Sequence, residues 1–429
     1  MDAANQRDLL LPDALPSVLG EAKGRGDRPW IFGLLVAPSA VVANGIVQGG
    51  VLGYLLTQQG MRIDVASHWL SILALPTSLY FLYSPLTDFL LKRRTWLMLG
   101  SLCAAVLMLL AFRQQSIAAP TPLRLILLSG CLTQLVFASC GGMMGTLQSE
   151  KSRHTACGFF QAGSLAFGAL ATWLLIREST RVPAASLGWM AAAMIGLPSI
   201  FAFFAPHQPV VRSSGFLQTL GILGRECKAT FLRWDAVPYV VYVLLPAGTG
   251  AAIGLLPGIA QSYGINSDQI AWMNGLVGAF AIAAGSMVTA LFPTRWGIAR
   301  PALVVYILNG LILGGMAFGP MRPWNYLSAT VLYLFTSGCC YSTSTAIALE
   351  FIGDSGKSGS GRFSVINGLI NVPVLVMISV DGWGGARWGA RGLPAIESVA
   401  ALITAIPMLI FVCLRPLRPT VIETTHVEL

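Results

Sequence analysis

Long apolar runs separated by short polar connections dominate this chain. A helix that rises about 1.5 Å per residue needs about 20 apolar residues to cross about 30 Å of hydrocarbon. The runs reach that length, and they lack the period-two alternation of strands in a membrane barrel. The pattern therefore predicts twelve transmembrane helices, at residues 30–57, 66–91, 95–112, 122–148, 155–177, 186–205, 236–262, 268–293, 299–319, 324–348, 362–381 and 397–414.

The composition supports an all-α membrane protein. Hydrophobic residues make up 55% of the 429 residues and charged residues only 10%. An average soluble domain carries about 25% charged residues. A soluble fold is therefore excluded, and the lipid bilayer is the partner that the sequence requires.

The distribution of basic residues predicts the orientation. Cytoplasmic connections of membrane proteins are enriched in Lys and Arg. Every lysine falls before the first run, after an even-numbered run or in the middle connection: Lys23, Lys92, Lys151, Lys228 and Lys357. We expect both termini in the cytoplasm and a multi-pass location in the cell inner membrane. The net charge of +9 is read as this orientation signal, and no nucleic-acid partner is expected.

The spacing of the runs divides the chain into two similar halves. A tail of residues 1–29 precedes a six-helix bundle at 30–205, a polar cytoplasmic linker at 206–235, a second six-helix bundle at 236–414 and a tail at 415–429. The fourth run ends at Glu150 and the tenth at Glu350, each followed by a basic, glycine-containing loop. A 6+6 chain with this internal symmetry is typical of transporters whose two bundles move around a shared site.

A charged motif stands between the second and third runs. It reads Ser84-Pro-Leu-Thr-Asp88-Phe-Leu-Leu-Lys92-Arg93-Arg94. The motif resembles the hallmark of the major facilitator superfamily, Gly-x-Leu-Ala-Asp-Arg-x-Gly-Arg-Arg-Arg. Leu86, Asp88 and the basic triplet match in register, whereas the positions at 84, 89 and 91 depart from the usual Gly, Arg and Gly.

A closer resemblance covers residues 75–97. Leu75-Pro76, Pro85-Leu-Thr-Asp88 and Arg93-Arg-Thr-Trp96-Leu are similar to motifs of the branch that holds bacterial muropeptide permeases, acetyl-CoA transporters and certain siderophore importers. Tyr80 replaces the Lys of that branch, and Tyr83 replaces its Trp. The resemblance implies import of a muropeptide-like or siderophore-like solute.

The motif also predicts a gate. A carboxylate at the cytoplasmic end of one helix is attracted to the unpaired N–H groups that begin a neighbouring helix. We expect Asp88 to contact the start of the eleventh span near residues 359–364, with basic residues clamping the acids at the ends of the fourth and tenth spans. The predicted gating residues are Asp88, Lys92, Arg93, Arg94, Glu150, Arg153, Glu350 and Arg362.

Uncharged polar residues inside the spans are the candidate substrate ligands. Polar groups are costly in hydrocarbon and usually face the bundle interior. Helix packing is the alternative role, because amides also join membrane helices. The predicted substrate-binding residues are Asn44, Gln48, Gln134, Gln161, Tyr242, Asn274, Tyr333, Tyr341, Asn367 and Asn371. The seventh span, rich in Gly and Pro, is predicted to bend.

Ionisable residues are expected only at span ends. Asp381 is placed at such an end, and the twelfth span is taken to begin at residue 397. No buried acid, base or metal ligand is therefore expected, so neither an enzyme nor a metal site is predicted. Coupling to a proton or another ion is left open.

No cofactor is expected either. Gly356-Lys357-Ser358 resembles part of a phosphate-binding loop, but Phe351 occupies the position where that loop requires Gly. ATP binding is therefore not predicted.

Together these patterns predict a secondary transporter that works by alternating access and imports a bulky polar or amphipathic small molecule. A drug or metabolite exporter of the same fold is the first alternative. A non-transporting membrane sensor is the second.

Overall fold

The computed structural model describes residues 28–83, 86–87, 91–144, 147, 150–205, 221, 224–225, 228, 240–242, 244–246, 248–289, 299–352 and 359–414. Every regular element in these ranges is helical. Most of the 206–235 linker and both predicted tails lie outside them.

The first half of the chain contains a broken helix followed by five long ones. The broken helix consists of α1 and α2, which bend by 41° at residues 48–50. The elements are α1 (Ile31–Val47), α2 (Val51–Gln58), α3 (Ile63–Tyr83), α4 (Arg93–Phe112), α5 (Pro120–Met144), α6 (Glu150–Glu178) and α7 (Ala184–Phe204).

The second half begins with short helical turns. Ala251–Gly254, Leu256–Ile259 and Ala260–Tyr263 follow one another in place of a continuous span. Long helices follow: α8 (Ser267–Val288), α9 (Ala299–Phe318), α10 (Pro323–Ile352), α11 (Gly359–Trp388) and α12 (Gly392–Leu414).

Helix packing follows the same plan in both halves. In the first half α4 packs against α5 and α7, and α3 packs against α5. In the second half α9 packs against α10 and α12, and α8 packs against α10. Two long contacts, α3 with α11 and α6 with α8, join the halves. The space between the halves is thus enclosed by α3, α6, α8 and α11.

The two halves come into close contact at one face of the molecule. At this face α2 ends and α3 and α8 begin. A methyl group on Gly53 of α2 would overlap the carbonyl oxygen of Gly254. One on Gly382 of α11 would overlap the hydroxyl of Ser67 on α3. Glycine is required where two backbones come this near. We call this end of the molecule the glycine face.

The predicted spans are recovered in part. Among the described residues eight helices are long and apolar enough to cross a membrane, or nine when α1 and α2 count as one span. One of these apolar stretches, Gly368–Ile410, runs through both α11 and α12. The bend predicted for the seventh run is present, because Gly248 and Gly250 have φ of 63° and 69°. Residues with a Cβ rarely adopt that conformation.

Candidate functional site

A central cavity of about 330 Å³ lies between the two halves. Cavities that hold small molecules usually span about 300–1,000 Å³, so this one has room for a compact solute. Both halves contribute polar groups to its wall. They are Asn44, Gln48, Gln161, Ser164 and Thr172 from the first half, and Tyr242, Thr249, Asn274, Tyr306, Tyr341, Ser344 and Asn371 from the second.

The first-half wall carries amides and hydroxyls on α1 and α6. Asn44 donates from Nδ2 to Oγ of Ser164 at 2.9 Å. Thr172 donates back to the backbone of its own helix at Gly168, at 3.1 Å. Gln161 is exposed to the cavity side of α6 and has room for a ligand. This wall can donate and accept hydrogen bonds.

The second-half wall is aromatic. The hydroxyl of Tyr306 donates to that of Tyr242 at 2.6 Å, and their rings are stacked with centroids 6.1 Å apart. Tyr341 donates to the backbone oxygen of Thr249 at 3.4 Å. The phenol rings offer flat apolar surface, and their hydroxyls offer a polar edge. A solute in the cavity therefore meets amides on one side and phenols on the other.

Two wide helical turns bring asparagines to the cavity. Asn44 lies in the π-helical segment Ala40–Val47 of α1, and Asn274 lies in the π-helical segment Ala271–Val277 of α8. Short π segments inside α-helices are frequent at functional sites. Asn274 donates to Ile270 O at 3.2 Å, while its buried Oδ1 has no partner among the described residues.

The described part of the cavity wall carries no formally charged side chain. Of the described residues that line it, none is Asp, Glu, Lys, Arg or His. An ion that entered the cavity would lose its hydration without meeting a counter-charge. Such desolvation costs about several kcal/mol. The wall favours a neutral solute.

Seven of the ten predicted ligands line the cavity: Asn44, Gln48, Gln161, Tyr242, Asn274, Tyr341 and Asn371. Gln134 is buried beside a smaller cavity of about 10 Å³ that Gln48 also lines. Tyr333 is fully buried away from the cavity wall. Asn367 belongs to α11, but its side chain lies outside the described set.

The predicted gating residues are described only in part. Arg93 donates to the backbone oxygen of Gly142 on α5. The guanidinium of Arg94 lies 5.0 Å from the ring centre of Phe203 on α7. Both contacts lie within the first half. Lys92 also takes part in an interaction. Asp88 lies outside the described residues, as do the side chains of Glu150, Arg153, Glu350 and Arg362.

Two buried acids overturn the expectation that ionisable residues stand only at span ends. Asp381 is 0% exposed and Glu397 is 1% exposed. The α11 helix continues to Trp388 and α12 begins at Gly392, so both side chains lie within the bundle. The sequence-based prediction ended the eleventh span at Asp381 and began the twelfth at Glu397, because each acid interrupts an apolar run.

The hydrogen bonds of Glu397 connect it to the cavity. Its Oε1 accepts from the hydroxyl of Tyr333 at 3.0 Å and from Oγ1 of Thr249 at 3.3 Å. Thr249 also lines the cavity. The residues that sequence reasoning missed are this acid and Tyr306. Tyr306 met the rule of polar groups in apolar runs, and Asn309 stands one turn after it, so the sequence carried a usable signal that the prediction did not take up.

Comparison with known proteins finds likeness at the level of fold. No protein-family model matches the chain. No curated protein matches it either.

Solved structures do match. The crystal structure of the nucleoside transporter NupG is 12% identical with a TM-score of 0.68, over 90% of this chain and 99% of that one. A peptide transporter POT in complex with sulfate is 12% identical with a TM-score of 0.67, over 90% and 96%. A D-xylose-proton symporter is 13% identical with a TM-score of 0.63, over 89% and 95%.

These solved transporters match the chain nearly end to end. At such low identity the likeness concerns the fold. The chain is a multi-pass helical membrane protein whose fold these solved transporters share.

Proposed function

We propose that the protein is a secondary transporter that carries a neutral, polar or amphipathic solute through the inner membrane by alternating access, in the direction of import. The observation that carries this proposal is the central cavity, which both halves of the chain line and whose described wall is uncharged. A site between two similar halves is reached from either side of a membrane when the halves rock against each other.

The chemistry of the wall defines the solute class. Amides of α1 and α6 match hydroxyl or amide groups, and the Tyr242–Tyr306 pair matches a flat ring or an apolar face. Muropeptide-like and siderophore-like compounds, implied by the sequence resemblance, carry amides and hydroxyls and belong in the test panel. Muropeptides also carry carboxylates, so they test whether the site accepts an anionic solute. Acyl-CoA compounds are strongly anionic and do not fit an uncharged wall.

The closed glycine face supports an inward-facing state. The charge distribution of the sequence assigns this face to the outside. In such a state the cavity would be reached from the cytoplasm, and transport would require the contacts at Gly53, Gly254 and Gly382 to separate.

Transport by the purified protein tests the proposal. The full chain is reconstituted in liposomes, and a panel of muropeptides, siderophores, nucleosides, sugars and one acyl-CoA is offered. We expect saturable uptake of a neutral member and none of the acyl-CoA. A Gln161→Ala variant should lose affinity several-fold, since a neutral hydrogen bond contributes about 1 kcal/mol. The control is Gln114→Ala, an exposed amide at the end of α4.

Three results would contradict the proposal. Preferential uptake of an anionic panel member, the acyl-CoA or a muropeptide, would refute the solute class. Efflux from energised cells without uptake would make the protein an exporter. Binding of a panel member with no flux in either direction would favour the sensor alternative.

A further inference from the structure

We propose that Asp381 and Glu397 form a proton-binding site that couples solute transport to proton movement. The proposal rests on the proposed transport function and names the coupling ion and the residues that carry it. Asp381 belongs to α11 and Glu397 to α12, two helices that pack against each other. The two carboxyl groups are near enough to interact electrostatically.

The carboxyl oxygens are the first observation. Both oxygens of Asp381 and Oε2 of Glu397 are buried, and none of the three accepts a hydrogen bond from an amide, hydroxyl or cationic donor among the described residues. The two carboxyl groups lie within reach of each other, so a proton on one can be shared with the other. An ionised Asp381 would be buried without a donor from the described residues, whereas Glu397 keeps the Tyr333 and Thr249 donors on Oε1. A buried charge with no donor is among the most costly arrangements in a protein. A protonated carboxyl is neutral and avoids that cost. Two carboxyls that share a site seldom ionise together.

The surroundings of the pair are the second observation. The titratable groups that face it come from α10 and are Tyr333, Cys340 and Tyr341. Across Gly382, α3 presents the neutral hydroxyl of Ser67. No Lys, Arg or His acts on the pair among the described residues. A structural ion pair is therefore absent from the described surroundings, and a proton is the counter-charge that this site can take.

The connection to the cavity is the third observation. Thr249 donates to Glu397 and lines the cavity, and it stands between the two positive-φ glycines Gly248 and Gly250. A rearrangement of this turn during transport would change the donors that Glu397 receives. The proton would bind to a carboxylate oxygen in one state of the transporter and leave as H⁺ in the other. No redox partner or other reactant is needed.

A divalent metal is a poorer occupant. The described residues contain no group of three His, Cys, Asp or Glu side chains able to hold one. Sodium, another hard cation that carboxylate oxygens accept, is an outcome that the test separates from the proton.

Infrared spectroscopy of the full chain in lipid tests the site without knowledge of the solute. A protonated carboxyl has a C=O stretching band that a carboxylate lacks, and exposed acids are ionised near neutral pH. We expect wild-type protein to show this band near neutral pH and to lose it as the pH is raised. Asp381→Asn and Glu397→Gln should each reduce or remove the band, because each deletes one titrating partner. Asp64→Asn, a partly exposed acid paired with Arg62, should leave it unchanged.

A third, more conservative variant tests the site even if Asp381→Asn and Glu397→Gln fail to fold. Tyr333→Phe removes one donor to the Glu397 carboxylate and keeps the ring that fills its place. The loss of the band should then move to higher pH, since the ionised form has one stabilising contact fewer.

Two results would overturn the inference. Absence of a titrating band in folded wild-type protein would mean that the pair does not exchange protons. Sodium-dependent thermal stabilisation of wild type, lost in Glu397→Gln and not reproduced by potassium, would assign the site to sodium.

The experiments distinguish failure of the proton site from failure of the proposed transport function. Solute uptake with no titrating carboxyl would leave the transporter and refute the coupling site. When a panel solute is carried, Glu397→Gln should retain solute exchange across the liposome and lose accumulation driven by a pH gradient. Retained accumulation in that variant would also refute the inference.

Discussion

The guanidinium of Arg181 in the first half of the chain contacts the carboxylate of Asp268 in the second half. Nη2 lies 2.9 Å from Oδ1 and 3.0 Å from Oδ2. The side chains are 41% and 51% exposed, so the pair is screened by water and contributes about 0–1 kcal/mol. An energy of that size suits a contact that would break in each cycle of the proposed transport, because it biases the closed state without trapping it.

Asp268→Asn should open the glycine face more often. Loss of the pair should raise the fraction of molecules open at this face by up to about five-fold. Spin labels at Gln58 and Gln261, on opposite halves at that face, report the separation by distance measurement. The control is Asp64→Asn, whose partner Arg62 lies in the same half. The exchanged pair Arg181→Asp with Asp268→Arg should restore the wild-type distances. An unchanged distance distribution in Asp268→Asn would show that the pair does not hold this face closed.

Gly53→Ala should have a larger effect at the same face. The added methyl group would overlap the carbonyl of Gly254, so α2 and the 251–254 turn must separate. We expect a loss of the short spin-label distance and slower transport. Gly315→Ala is the matched control, because a methyl group there meets nothing within 4 Å. Equal effects in the two variants would attribute the result to helix propensity alone.

Alanine changes in the cavity should separate binding from packing. Asn44→Ala should weaken solute binding several-fold with little change in thermal stability, because its Ser164 partner stays accessible to a ligand or water. Asn309→Ala should do the opposite. Asn309 is fully buried, donates to Thr336 at 2.9 Å and lies away from the cavity. Binding and melting measurements on both variants check this. Stability loss with unchanged affinity in Asn44→Ala would assign that amide to helix packing.

The Asp88 gate stays a prediction from the sequence. Asp88→Asn should leave insertion and expression nearly unchanged, because the position is at a span end. It should slow transport strongly by removing the charge proposed to contact the start of α11. Initial uptake rates, corrected for the amount of protein in the membrane, test this. Normal rates would disprove the latch.

Topology can be checked independently. Alkaline phosphatase is active only outside the cytoplasm. A fusion after Leu429 should be inactive and one after Arg181 active, if both termini are cytoplasmic. The reverse pattern would refute the assignment of the glycine face to the outside.

The apolar pattern predicted the helical membrane fold and much of the cavity wall, for a physical reason. Asn44 and Gln48 stand one turn apart in an apolar run, and burial in lipid leaves polar groups only the interior to face. The same reasoning misplaced Asp381 and Glu397. A run of apolar residues is interrupted by a buried acid as it is by a polar loop, so hydropathy alone cannot distinguish a span end from an intramembrane acid. Tertiary contacts made that distinction here.

The break in the predicted seventh span had a clearer signal in the local sequence than the two buried acids had. Gly248 and Gly250 flank Thr249 after Pro246, and this spacing indicates a break. The sequence pattern did not disclose that the hydroxyl between those glycines reaches Glu397, since the two residues belong to separate runs of the chain.

The π-helical segments Ala40–Val47 and Ala271–Val277 have a consequence for how related sequences should be aligned. A π turn closes its hydrogen bond one residue later than an α turn, so each segment behaves as a one-residue insertion in an otherwise regular helix. Deleting a single residue such as Val42 would let this segment return to α geometry while the helix on either side keeps its orientation, so the change would fall on the residues of the wide turn itself, among them Asn44. Homologues with one residue fewer there should thus differ in solute choice while keeping the fold, and single-residue gaps at these two places mark where specificity diverges.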